Sequence, residues 1–408
     1  MSRAARVGRP GSLGPTRGER EGPLGAVAIA TALGNPPPTD EQRAIIEADP
    51  SRPLLVVAGA GSGKTETMAS RVVWLVANGH VDPDQVLGLT FTRKAATELA
   101  ERIVRRLRTL QATGLWRPRT GDGSGAEALL AMPTVSTYHS YAGRLVREHA
   151  LRLGIEPESR LLSEAAAWQY AAEVVARYDG PMEDVSSAES TVIDAVVSLA
   201  GELAEHLLAP ADVEAYLAQF EARMAALPKG PSKAHSVPIG DTLKALRGRR
   251  AILPIVSRYL DLKRSRDAVD FADQMALAAR LARDFAGVGA IERERFGAVL
   301  LDEFQDTSEA QLVLLRSLFV APVGATAVTA VGDPNQSIYG WRGASATTLA
   351  RFPQEFADRQ GPARVVALST SWRNDEAILA AANATSAPLR TGHVGVLRAR
   401  SGAGPGAH

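Results

Sequence analysis

The chain has 408 residues, 45% of them hydrophobic and 22% charged, which is ordinary globular composition with room for more than one domain. Its formal net charge is only +1, so affinity for nucleic acid has to come from local basic patches and not from the whole surface. Cysteine is absent, which excludes disulfides, iron–sulfur clusters and thiolate zinc sites, and no apolar run approaches the ~20 residues that span a bilayer.

Residues 1–35 read as a tail. The first 25 are rich in Arg, Gly and Pro. Ala26–Leu33 has the length of a short helix, and Asn35-Pro36-Pro37-Pro38 is a stiff entry. Thr39-Asp40-Glu41-Gln42 then opens a helix. Thr39 and Gln42 have the spacing of a capping box. The Gln42 amide also carries the donor and acceptor that adenine N6 and N7 require. Both readings stay open.

Leu54–Val57 is a short apolar run, expected to be a strand. Ala58-Gly59-Ala60-Gly61-Ser62-Gly63-Lys64-Thr65 follows, and apolar Met68, Val72, Leu75 and Val76 continue at helical spacing. Strand, glycine-rich loop and helix in that order form a cradle of backbone N–H groups for phosphate. Lys64 reaches the β- and γ-phosphates of ATP in this reading, and the Thr65 hydroxyl ligates Mg²⁺. Six lysines stand against forty arginines in the chain, so a lysine kept here suggests a need for a compact ammonium.

Val86–Thr90 is a second buried strand. Phe91-Thr92-Arg93-Lys94-Ala95-Ala96 leads from it into a helix with apolar Leu99, Ile103, Leu107 and Leu110. The opposite face carries Arg102, Arg105, Arg106 and Arg108, which by default is a solvated face. Residues 111–130 read as a loop, and Thr134-Val135-Ser136-Thr137-Tyr138-His139 enters another helix. Residues 155–265 are rich in Ala, Glu and Leu and read as a helical insertion. Its last part is basic, from Lys244, Arg247 and Arg250 to Arg258, Lys263 and Arg266, either a solvated face or a phosphate-contacting one.

Strands resume after Ala268. Phe296–Leu301 ends in Asp302-Glu303-Phe304-Gln305-Asp306, Val328–Val331 in Gly332-Asp333-Pro334-Asn335-Gln336, and Val365–Leu368 in Ser369–Asn374. In open parallel sheets the ligand crevice lies at the strands' carboxyl ends, so these clusters can converge. Asp302 is the candidate Mg²⁺ ligand and Glu303 the candidate general base. Gln336 and Arg373 are candidates for sensing the γ-phosphate, and Trp372 offers a face to adenine. Aromatics are scarce, at 5% of residues, so Tyr339 and Trp341 in a Gly-flanked loop suggest base stacking, which Phe91 and His139 extend.

In these stretches the chain resembles the UvrD/Rep/PcrA family of superfamily 1 DNA helicases. Ala58–Thr65, Leu89–Ala96, Ser136–His139, Val269–Asp273, Asp302–Thr307, Gly332–Ala344 and Ser371–Arg373 carry the resemblance in the family's order. It implies an α/β fold: a RecA-like P-loop NTPase domain with a parallel sheet and an inserted helical subdomain. The expected division is 36–153 and 266–375 for the motor, 154–265 for the insertion, and 376–408 for the start of a second RecA-like domain cut short. The implied activity is ATP-driven 3′→5′ movement on single-stranded DNA in the cytoplasm, at single-strand/duplex junctions, with a partner helicase or nuclease subunit possible. Gln42 and Trp372 would contact adenine, Arg373 the γ-phosphate, and Phe91, Thr92, Thr137, His139, Tyr339 and Trp341 DNA. Two departures stand out: Trp372 replaces the family's usual tyrosine, and Glu66 follows the loop where an arginine is common, which removes a cation near the nucleotide. The branch resembles actinobacterial UvrD-like proteins, including the AdnB motor–nuclease type. The rival reading is a nucleotide-gated single-stranded DNA binding module without turnover.

Overall fold

A computed structural model describes residues 22–118, 132–183, 185, 187–229, 236–320, 326–340, 347–389 and 396–399. Six strands form one parallel sheet: β1 (Leu54–Ala58), β2 (Val86–Thr90), β3 (Thr134–Thr137), β6 (Ala298–Leu301), β7 (Ala327–Gly332) and β8 (Arg364–Leu368). Their spatial order is β3-β2-β6-β7-β1-β8. β4 (Arg160–Leu161) and β5 (Ala268–Val269) pair outside this sheet. The α/β reading with a parallel sheet holds.

Five of the six strands are near-continuous apolar runs because helices cover both faces. Alternation sorts the side chains. Leu54, Val56, Ala58, Ala298 and Leu300 enter one core, with α1 (Ala26–Ala32), α2 (Asp40–Ile46), α3 (Lys64–Ala77) and α4 (Arg93–Ala112) over them. Leu55, Leu87, Leu89, Val299 and Leu301 enter the other, beneath α5 (Tyr138–His149), α10 (Phe271–Asp284), α11 (Ala286–Arg295), α12 (Glu309–Phe319) and α13 (Thr348–Glu355). Ala58 is therefore a core residue of β1, in register with Leu368.

α6 (Glu164–Ala176), α7 (Glu189–Glu205), α8 (Pro210–Ala225) and α9 (Val237–Ser265) enclose a separate core around Val196, Ile255 and Tyr259. At its return to the sheet, buried Lys263 donates to Asp270 and Asp273, each at 2.7 Å. α7 also packs on α10 and α12.

Three expectations change. Thr134–Thr137 does lead into a helix, α5, but is itself a strand; its polar threonines suit a half-buried sheet edge. Ala26–Ala32 is not tail: Ile29 is buried against α3 and α4. The basic stretch of α9 is mostly paired within the chain. Arg247 bonds Glu221, Arg250 bonds Glu214 and Glu221, Arg258 bonds Asp179 and Arg266 bonds Glu173.

Candidate nucleotide site and nucleic-acid interface

The loop after β1 turns through two left-handed glycines, Gly61 at φ +73° and Gly63 at φ +81°. Gly63 is also the N-cap of α3, and no side chain caps that helix. Its first-turn N–H groups and the positive end of its dipole therefore suit an anion. Ser62 Oγ, buried without a partner among the described residues, adds a polar group. The segment after β8 lies on the loop. Trp372 N donates to Gly61 O at 2.8 Å and Ser371 Oγ to Ala60 O at 3.2 Å. A Cβ on Gly61 would stand 2.7 Å from Arg373 Cβ, so only glycine permits this closeness. Glu41 holds the segment from α2, accepting from Ser369 N at 2.9 Å.

β6 delivers Asp302, whose N–H donates to Leu89 O at 2.9 Å. Buried Tyr138 donates its hydroxyl to Asp302 O at 3.1 Å. Lys64 Nζ stands 3.3 Å from Glu303 Oε2, so loop lysine and candidate base meet. Glu303 has φ +49°, a conformation costing a non-glycine residue about 1–3 kcal/mol. Burial, then the neighbouring Glu303 charge, pushes the Asp302 carboxyl up to about 6, against the pull of Lys64. Asp306 is lifted to about 6 by burial and by Glu303. A crowded carboxylate of this kind is relieved by a cation, and the Asp302 and Thr65 oxygens are the hard donors Mg²⁺ prefers. The donor set fits a metal-bound nucleoside triphosphate.

Beside the loop lies a cavity of about 500 Å³, walled by Gln42, Gly63, Thr67, Ser70, Trp372, the α1 side chains and Pro36–Pro38. Gln42 Oε1 accepts from Thr39 N at 3.0 Å, completing the capping box, while a Cβ on Gly63 would lie 3.5 Å from its Nε2. Cap and pocket thus use opposite ends of one amide. Arg373 is exposed, and no ion pair holds it among the described residues. Gln336 Nε2 donates to Asp333 Oδ2 at 2.6 Å, and Gln336 shares the lining of the larger cavity with Glu303. At Glu66, where the resemblance leads one to expect an arginine, two arginines are drawn in from a neighbouring helix. Arg102 and Arg106 reach from α4 and both bond the Glu66 carboxylate, because a carboxylate on α3 attracts guanidinium groups from the helix packed on it.

A second cavity, of about 940 Å³, lies between α7 and the ends of β2, β3, β6 and β7. Phe91, Thr92, Thr137, His139, Gln336 and Tyr339 line it, together with Phe271 and Glu205. The Phe91 and Tyr339 rings are 6° from parallel, 6.5 Å apart, and His139 meets Phe271 edge-on at 5.8 Å. Thr92 and Thr137 cap α4 and α5 with their hydroxyl oxygens. Trp341 lies outside the described residues. Sequence reasoning passed over Glu41, Gln305 and Phe271. Gln305 and Phe271 lie in stretches that carry the resemblance, and in the structure Phe271 is an exposed aromatic directly after the capping residue Asp270.

The glycine-rich loop, the carboxylates and the larger cavity lie at the carboxyl ends of one parallel sheet, the arrangement of a RecA-like P-loop domain. Residues 38–357 match the UvrD/REP helicase N-terminal domain, and the chain belongs to that family. It is 29% identical over 341 residues to the ATP-dependent DNA helicase UvrD1 of Mycobacterium tuberculosis (strain ATCC 25618 / H37Rv), across 82% of this chain and 37% of that protein. It is 29% identical over 345 residues to DNA helicase II of Escherichia coli (strain K12), across 85% of this chain and 39% of that protein. It is 28% identical over 334 residues to the ATP-dependent DNA helicase PcrA of Staphylococcus aureus (strain NCTC 8325 / PS 47), across 81% and 37%. The chain thus spans less than two fifths of the length of these relatives. Among the described residues no helix is long and apolar enough to cross a membrane.

Proposed function

We propose that the chain is the ATP-binding part of a DNA helicase motor, which couples ATP hydrolysis to 3′→5′ movement along single-stranded DNA at junctions with duplex. The Lys64–Glu303 contact carries the reading, since it joins the phosphate loop to a carboxylate on a different strand at the mouth of the aromatic cavity. Gly59 to Thr65 hold the phosphates in this proposal, with Lys64 against the β- and γ-phosphates. Thr65 and Asp302 hold Mg²⁺, which when bound neutralises phosphate charge. Glu303 takes the proton of the attacking water. Gln42 and Trp372 receive adenine, while Gln336 and Arg373 turn toward the γ-phosphate. Phe91, His139, Tyr339 and Trp341 stack on or flank bases, and Thr92 and Thr137 donate to the DNA backbone. The test is ATP turnover by the purified chain with and without single-stranded DNA. Stimulation by DNA that disappears in Lys64→Ala supports the motor. ATP and DNA binding without any turnover favours the nucleotide-gated binding module.

A further inference from the structure

Glu66 gathers two arginines beside the smaller cavity. Glu66 sits on the first turn of α3, and its Oε2 accepts from Arg102 Nη1 at 3.1 Å. Its Oε1 accepts from Arg106 Nη2, while Arg106 Nη1 donates to Ser70 Oγ at 3.0 Å. Two guanidinium charges therefore face one carboxylate, and the local sign is positive. Arg106 is 9% exposed, and the surface it keeps lines the 500 Å³ cavity with Gln42, Trp372 and Ser70. Neither Lys64 nor the carboxylates Asp302 and Glu303 line that cavity. Ser70 lies six residues beyond Lys64, about 9 Å along the helix axis. Arg106 thus stands at the end of the site away from the phosphate loop, opposite nothing anionic except the Glu66 that orients it.

We propose that Arg106 is a specificity-determining residue of the nucleotide pocket. Its guanidinium recognises the base-and-ribose half of the nucleotide, and Glu66 fixes it in place. The proposal rests on the reading that Gly59–Thr65 take the phosphates. A planar guanidinium suits this position because it can lie against a base and donate in its plane at the same time. Glu66 is then a positioning residue: it places an arginine contributed by another helix.

Titrations of the purified chain with MgATP and with magnesium tripolyphosphate separate the two halves of the ligand. Arg106→Gln should weaken MgATP binding about tenfold, the usual scale for losing a charged, desolvated contact, and leave tripolyphosphate within about twofold. Glu66→Gln leaves Arg106 its Ser70 bond and the fold its packing, so it covers the case in which Arg106→Gln does not fold. It should weaken MgATP about threefold, again without affecting tripolyphosphate. Equal loss of both ligands, or no loss of MgATP in Glu66→Gln, overturns the proposal. Lys64→Ala is the control for the site itself. If it retains tripolyphosphate affinity, the phosphate-loop reading has failed and not the role of Arg106.

Discussion

Glu303 sits in a left-handed backbone conformation and holds both Lys64 Nζ, at 3.3 Å, and Gln305 Nε2, at 2.9 Å. In the proposed mechanism this strained carboxylate, held between two donors, is the base. Glu303→Gln should therefore retain MgATP affinity while turnover falls by about 10²–10⁴. Loss of binding instead, read by titration, would make Glu303 a ligand-holding or structural group. Arg71 raises a different question. It is 0% exposed, and burial pushes its guanidinium down to about 10, still charged at neutral pH. No carboxylate bonds it among the described residues; it donates to Thr329 Oγ1 at 3.0 Å and to the carbonyls of Ile45 and Ala48 at 2.9 and 3.0 Å. Those carbonyls lie in the last turn of α2 and just past its end, and α2 is the helix that carries Gln42 and Glu41. Arg71→Met removes the donors and leaves the carbonyls buried, so it should cost about 3 kcal/mol in urea unfolding. A cost under about 1 kcal/mol would mean that water reaches them.

Among elements, α7 packs on α10 and α12, and at its C-terminal end Glu205 lines the larger cavity with Oε2 buried and unpartnered among the described residues. Burial lifts the Glu205 carboxyl above its ordinary range, and a bond from Ser308 only partly offsets this. With the folded pKa raised, the folded chain holds this proton more tightly than the unfolded chain does. The associated stability is complete below about pH 4.5 and is lost as pH rises through the raised value. Glu205→Gln mimics the protonated form at every pH. Its unfolding free energy in urea should match the parent near pH 4.5 and exceed it at pH 8 by about 1 kcal/mol. No gap at pH 8 would place the carboxylate in contact with water. For α8 and α9 the expectation is an absence of effect. Two arginines touching phosphate would together contribute about 1.4 to the salt slope of single-strand binding. Arg247 and Arg250 already satisfy Glu221 and Glu214. The double substitution Arg247→Ala, Arg250→Ala should leave that slope unchanged, and a drop of about one or more would assign these residues to DNA.

For the molecule as a whole, the strand-end clusters were legible in sequence because each is a local signal: an apolar run, then glycines, acids or aromatics. The parallel sheet then brings them together without further information. Polar β3 lacked the apolar run, and α1 lacked an obvious partner until α3 and α4 packed on it. The ties of Arg71, Glu41 and Arg106 join residues far apart in sequence, and no periodicity encodes them. Gln305 is the clearest such case. It is 2% exposed; its Nε2 donates to Glu303 Oε2 at 2.9 Å and its Oε1 accepts from Asp333 N at 3.0 Å. Its own carbonyl accepts from Ser337 Oγ at 3.2 Å, two residues before Tyr339. A Cβ on Gly332 would lie 2.6 Å from Gln305 Oε1, so the close approach of the β6 and β7 loops depends on glycine there. One amide thus links the carboxylate beside Lys64 to the loop that stacks Tyr339 on Phe91. Coupling between two ligands is a free energy, typically about 1–3 kcal/mol, and it needs an element that both ligands bias. If Gln305 is that element, Gln305→Ala leaves single-strand affinity of the nucleotide-free chain intact, because the aromatic rings remain. The change in that affinity on adding a non-hydrolysable ATP analogue should then shrink toward none. The measurement is fluorescence anisotropy of a labelled single strand, with and without the analogue, for parent and variant. An undiminished nucleotide response in a folded variant would move the coupling to another path; a lost affinity without nucleotide would make Gln305 a support of the cavity and nothing more.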